Sequence, residues 1–418
     1  MSGAGSTWAK NLTYSAVELV EPEGLEQLAE VMSSAQRVRL LGSRHSFNRI
    51  ADTTGTMVGL GRLPVDVSVD SDRQRARVEG GAAYGEVARR LHEQGWGLHA
   101  MASLPHITVA GAVATDTHGS GDGIPSLAEG VAAVEIVTTE GRQVRLERGE
   151  EDFGGAVVSL GTLGAVVALE LDVEPTYDVA QTVYEGLTWD AVAADLDAVT
   201  GLGTSVSVFT DWADADAPHQ VWVKQRTDST GGDPRALGLT AADGQRHMMR
   251  DGPGERCTRQ GGVPGPWLDR LPHFRLDFVP SNGAEVQSEW LLPRSRAGEA
   301  IDALRGLADA LGPLTQACEM RSVAAGQQWL GLTQGEDCVA FHFTWSPDQR
   351  AVEALIQEVE AGLTPLGARP HWGKLFDERA LARRIEELYP QRGRMLELAA
   401  RLDPRGALRN DYLERVGL

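Results

Sequence analysis

The sequence predicts an α+β protein of two domains, and three observations carry the prediction. Its 418 residues exceed one ordinary domain, and the 42% hydrophobic content supplies apolar mass for a folded core. Pro175 breaks the pattern of the first part, which sets a domain boundary near residue 176. Beyond it, helices expected over 296–307 and 348–363 each lie beside a strand, which argues against a doubly wound parallel sheet.

After Pro22, Leu25, Leu28, Ala29 and Met32 recur at helical spacing, and Val38-Arg39-Leu40-Leu41 reads as a strand stopped by Gly42. Val65, Val67 and Val69 alternate, and residues 75–79 continue across the polar turn Asp70-Ser71-Asp72 as a second strand closed by Gly80-Gly81. A helix with Val87, Ala88 and Leu91 on one face comes next. A glycine-rich connection over 103–123 leads to strands at 131–138 and 143–146, which flank the hairpin signal Glu140-Gly141. Gly161-Thr162-Leu163-Gly164 precedes a strand through Val173. Further on, 206–212 and Val221-Trp222-Val223 read as strands, and 228–265 as a long irregular loop rich in Gly, Pro, Asp and Arg.

Lys plus Arg total 39 against 59 Asp plus Glu, a formal charge of −20 that repels nucleic acid and anionic lipid. Cys257, Cys318 and Cys338 are an odd count without CxxC, which speaks against a disulfide scaffold or a structural metal site. Residues 1–14 lack the basic start and apolar core of a signal peptide, and no apolar run reaches membrane-spanning length, so a soluble cytoplasmic protein is expected.

Two stretches carry candidate chemistry. In Leu41-Gly42-Ser43-Arg44-His45-Ser46-Phe47 a strand runs into glycine, two serines and a histidine; the backbone amides of such a turn suit a pyrophosphate, with an ordinary surface turn as the alternative. It is neither a P-loop nor a GxGxxG turn. Residues 103–121 are dominated by small side chains that let backbone approach a flat ligand, or another helix, closely.

Gly42-Ser43-Arg44-His45-Ser46, Val109-Ala110-Gly111 with Thr117-His118-Gly119, and Leu160-Gly161-Thr162-Leu163-Gly164 resemble the FAD domain of the vanillyl-alcohol oxidase family, and the resemblance covers nearly the full chain. Pro370-His371-Trp372-Gly373-Lys374 and Asp403-Pro404 resemble its sugar-oxidising branch. Trp8, Asn11, Tyr14, Ser103-Leu104-Pro105-His106 and Cys318-Glu319-Met320-Arg321 resemble the alditol-oxidising members of that branch, with aldonolactone oxidases or dehydrogenases as the alternative.

The resemblance implies an FAD-binding domain over 1–176, joined by the returning segment 375–418, and a substrate-binding cap with an antiparallel sheet over 177–374. It implies FAD tethered covalently through the His45 imidazole, oxidation of the terminal CH2OH of xylitol, sorbitol and related polyols, and transfer of the electrons to O2 to give H2O2. The cofactor contacts it implies are Leu41, Gly42, Ser43, Arg44, His45, Ser46, Phe47, Ser103, Thr108, Gly111, Thr115, Asp116, Thr117, His118, Val166 and His371. Arg44 stands where relatives often have glycine; it pairs with flavin phosphate or faces solvent. Asp116 replaces a small residue and is awkward beside a pyrophosphate unless it points away. The expected partners are a small polyol and O2, with no nucleic acid or membrane, and the expected state is a monomer.

Strand parity adds a substrate side, because residues two apart share a face. Glu319 and Arg321 share one face, Cys318 and Met320 the other; His342 and Thr344 line one face opposite Phe341 and Phe343. These alternations suit either a wet cavity or a solvated sheet side. A polyol offers only hydroxyls, so charged and hydroxyl partners are needed, and Ser103, Glu319, Arg321, Thr344 and Lys374 meet that need. Arg321 and Lys374 are the candidate cations for an alkoxide, and His342 the candidate base, with Glu319 competing. His371 is expected beside the flavin ring; His92, His99, His219, His247 and His273 are expected at the surface or in the core.

Overall fold

The computed structural model describes residues 4–278 and 285–418. The chain is α+β, as expected. Helix Leu25–Ser34 buries Leu28 and Met32 and leads into strand Val38–Leu41. That strand belongs to a parallel three-stranded sheet with Glu18–Val20 and Thr56–Gly59, two strands not expected from sequence because each is short and lacks alternation. The expected strand pair and hairpin form an antiparallel five-stranded sheet in the order Val67–Asp70, Arg75–Glu79, Ala165–Asp172, Val131–Val137, Gln143–Glu147. Gly141, at φ +75°, makes the hairpin turn that the Glu140-Gly141 signal predicts. The glycine-rich connection contains a short helix, Val109–Ala114, whose small side chains let it pack under strand Ala165–Asp172.

The second half is built on a nine-stranded antiparallel sheet. Its central strands run Asp178–Glu185, Gln220–Arg226, Ser205–Thr210, Thr315–Val323, Cys338–Trp345, Val286–Pro293. One face of this sheet is apolar: Val206, Val208, Trp290, Met320, Phe341 and Phe343 pack with Ile301 and Leu304 of helix Ala297–Arg305 and Val352, Ile356 and Val359 of helix Gln349–Leu363. The other face is polar at its centre and turns toward the first half.

The C-terminal helices Arg392–Leu402 and Asp411–Val416 return to the first half, where Met395, Leu398, Tyr412 and Val416 join its core. Asp403 fixes this return by accepting from Thr139 Oγ1 at 2.8 Å, Ala407 N at 3.0 Å and Leu408 N at 2.8 Å. Among the described residues, no helix is long and apolar enough to cross a membrane.

Candidate active site

A cavity of about 910 Å³ runs between the turn after strand Val38–Leu41, the small-residue helix and the polar face of the large sheet. Local backbone needs shape its first wall. A Cβ at Gly42 would lie 2.5 Å from Thr108 Oγ1, and one at Gly80 2.2 Å from the Val166 carbonyl, so only glycine lets these segments close. The turn is braced from both sides: Trp8 N donates to Arg44 O at 2.8 Å, Phe47 N to Gly373 O at 2.7 Å, and Asn48 Nδ2 to the Trp372 and Lys374 carbonyls at 2.8 Å each. The His45 turn and the segment that carries Lys374 are thus one bonded unit.

The second wall follows strand register. Glu289 faces His342 on one side, His342 faces Glu319, and Glu319 faces Phe209; Gln287 faces Thr344. Neighbours across a ladder share a face, so Gln287, Glu289, Glu319, Arg321, His342 and Thr344 all line the cavity, while Phe341, Phe343 and Met320 lie in the apolar core behind. The parity expected from sequence holds on both strands.

Glu289 is the hub of the charges. Its carboxylate lies 2.6 Å from Lys374 Nζ, 2.9 Å from Arg321 Nη2 and 3.3 Å from His118 Nε2. Burial pushes its pKa up, but Lys374, Arg321 and His118 outweigh burial and hold the carboxyl well below the usual range. Glu319 is likewise buried, and Arg321 and His273 overcome that burial to keep it ionised. Burial pulls the Lys374 ammonium down while Glu289 supports it. Arg321 Nη1 also reaches Ser103 Oγ at 3.3 Å. The His342 ring, lowered to about 4 by burial and then by Lys374, is neutral at neutral pH and lies 3.0 Å from Gln287 Oε1.

On the first wall, His45 stacks on Trp8 with ring centroids 4.9 Å apart, and its buried Nδ1 has no hydrogen-bond partner among the described residues. Burial lowers its pKa to about 4, leaving a neutral imidazole with a free nitrogen. Thr108 Oγ1 is a second buried polar atom without a partner among the described residues. A glycine-lined slot with unpaired polar atoms, facing a polar sheet, fits FAD along its length. Leu41, Gly42, Ser43, His45, Ser46, Phe47, Ser103, Thr108, Gly111, Thr115, Thr117, His118, Val166 and His371 all line it.

Three expectations are corrected. Asp116 is absent from the lining: at φ +57° it turns away and accepts from Ser126 Oγ at 2.5 Å and Leu332 N at 2.6 Å, because a buried carboxylate takes the nearest backbone and hydroxyl donors. Arg44 lines the cavity, but its guanidinium donates to the Ala4 and Ser6 carbonyls and stands over the Tyr14 ring, so it ties down the N-terminal segment instead of facing a phosphate or open solvent. His273 and His247, expected among the uninvolved histidines, both line the cavity, and His273 contacts Glu319.

Sequence reasoning missed Glu289, Gln287, Lys224 and His273. Gln287 and Glu289 carry the same alternation as Glu319 and Arg321, a signal that was present. His273 follows an irregular loop, so nothing local points to its partner.

Residues 17–147 match the FAD binding domain family, and 283–416 the D-arabinono-1,4-lactone oxidase family. Cholesterol oxidase from B. sterolicum has the same fold, with TM-score 0.80 at 12% identity over 100% of this chain and 97% of that one. Fold and slot together define an FAD-binding flavoprotein of the vanillyl-alcohol oxidase type. An alditol oxidase of Streptomyces sp. strain IKD472 is 46% identical over 99% of both chains. An L-gulono-1,4-lactone dehydrogenase of Mycobacterium tuberculosis is 26% identical over 100% of this chain and 99% of its own. The chain belongs to the alditol oxidase family within these flavoproteins.

Proposed function

We propose that the protein oxidises the terminal primary alcohol of alditols such as xylitol and sorbitol to the aldose, with O2 reduced to H2O2, and that it carries FAD covalently through His45. The observation that carries the reading is the buried cluster of Glu289, Lys374, Arg321 and Glu319 on the wall facing the flavin slot. An apolar slot would recognise a ring or chain of carbons; alternating donors and acceptors recognise hydroxyls. FAD, when bound, supplies the hydride acceptor at N5 and passes the electrons on to oxygen.

The protein's own residues would do the rest. Arg321 and Lys374 present positive charge to the hydroxyl that loses its proton, and Glu289 keeps those two cations side by side. His342, a neutral imidazole, is the group that can take that proton, whereas Arg321 and His273 hold the buried Glu319 carboxyl well below its usual range and so make it a weak base. Ser103 and Thr344 add hydroxyl partners at the cavity wall. In this reading 1–176 with 375–418 hold FAD and 177–374 bind substrate. The three free buried cysteines suit a reducing, cytoplasmic compartment, and we read the protein as a monomer.

The test is a visible spectrum before and after acid precipitation, then anaerobic xylitol, then air. Colour kept in the pellet, bleaching by xylitol and recovery with H2O2 are expected. Colour released to the supernatant removes the His45 tether. The match of 283–416 to a lactone oxidase family supports an aldonolactone as second substrate class, which a flavin bleached by lactones alone would favour.

A further inference from the structure

We propose that Lys224 and His273 are positioning residues that lock one oxygen of Glu319 and so present the other to a substrate hydroxyl. The inference deepens the alditol reading and rests on it. Glu319 Oε1 accepts from Ser207 Oγ at 2.6 Å and faces His273 Nε2 at 3.0 Å. On the far side of the imidazole, Nδ1 lies 2.9 Å from Lys224 Nζ. An ammonium only donates, so Nδ1 accepts, the ring hydrogen sits on Nε2, and the imidazole donates to Glu319.

The relay is fixed on every side. Lys224 is opposite Ser205 on the neighbouring strand and shares a face with Ser207, the other donor to Glu319. Its Nζ also donates to the Leu271 carbonyl, two residues before His273, so one loop holds both ends. Phe209 and Trp222 pack edge-on against the imidazole at 5.6 and 5.4 Å and fix its rotation. Lys224, His273 and Glu319 are 1%, 5% and 3% exposed, so water does not compete for these bonds and loss of one leaves the next unsatisfied.

Glu319 Oε2 points the other way, 3.5 Å from Arg321 Nη1 and 3.6 Å from His342 Nδ1, both long for hydrogen bonds. With Oε1 saturated, Oε2 is the oxygen open to a polyol hydroxyl. The groups facing Lys224 are Glu319, Cys257, Arg321 and His273. Burial lowers Lys224 to about 7 against the pull of Glu319, while burial holds His273 near about 4 and raises Cys257 to about 12. As pH rises through about 7 the ammonium becomes an amine that can accept as well as donate, so the His273 tautomer is no longer fixed and substrate affinity falls.

The experiment is anaerobic stopped-flow reduction of the flavin by xylitol at pH about 6 and about 8.5, with flavin content and melting temperature checked for each holoenzyme. In the wild type, Kd for xylitol should rise with pH. K224M should raise Kd about tenfold and abolish its pH dependence, the size expected when a charge-assisted hydrogen bond is lost, with the limiting reduction rate little changed. K224R should restore affinity without the pH dependence. H273Q, whose amide both accepts and donates, should bind near normally, and H273L should match K224M; this pair tests the relay even if K224M does not fold. Wild-type Kd and pH dependence in K224M, or wild-type Kd in H273L, would overturn the inference alone. A wild-type flavin that xylitol fails to reduce would overturn the alditol reading and the inference with it.

Discussion

Replacing Glu289 with alanine removes the carboxylate that Lys374 and Arg321 share, and leaves two buried cations facing each other. Breaking a buried pair by deleting one partner costs about 3–5 kcal/mol, and the third partner here places Glu289→Ala at the upper end. Urea unfolding of the variant measures it; an unchanged midpoint would show that water reaches the cluster. At this scale the sequence was informative wherever a residue acts from its own strand: Glu319, Arg321, His342 and Thr344 were legible because parity alone decides their face. The partners of Glu289 became visible only when three strands were laid side by side, since they come from residues 32 and 85 positions away.

Helix Gln349–Leu363 backs the sheet that carries these residues, burying Val352, Leu355, Ile356, Val359 and Leu363. Asp348 caps it by accepting from Ala351 N at 3.1 Å. Asp348→Ala should destabilise the protein by about 1 kcal/mol through loss of that cap, read as a lower melting temperature without loss of bound flavin. Flavin loss in step with the melting shift would mean that the helix also sets the cavity wall. Helices Ala297–Arg305 and Gln349–Leu363 were legible because apolar spacing over many residues is set by core packing, whereas strands Asp178–Glu185 and Val286–Pro293 and helix Arg392–Leu402 were not read from the sequence. Strands Glu18–Val20 and Thr56–Gly59 were not, because three or four residues carry no period and form only against Val38–Leu41.

For the molecule as a whole, acid stability is set first by its buried imidazoles. His273 and His342 are lowered from 6.5 to about 4, chiefly by burial, so between those values the unfolded chain binds protons that the folded chain refuses. Their contribution to stability is in place above pH 6.5 and falls as pH drops toward about 4, by roughly 1.4 kcal/mol per pH unit for each ring. Glu289 and Glu319, held below their usual range, keep their contribution until lower pH. Urea midpoints at several pH values should therefore decline below pH 6.5, before the carboxylates titrate; a flat profile down to about 4 would contradict it. The sequence by itself determined the α+β class, the glycine turn with His45, the small-residue connection after Ser103 and the polar faces of the two strands bearing Glu319 and His342, because each depends on local sterics or on a two-residue period. Only the tertiary structure decided that Asp116 turns away, that Arg44 clamps the N-terminal segment, and that Glu289, Lys374, Arg321 and the Lys224–His273 pair close one charge network. Such pairings depend on which buried charges meet across distant strands, and a buried charge is satisfied by whichever partner the fold brings within reach.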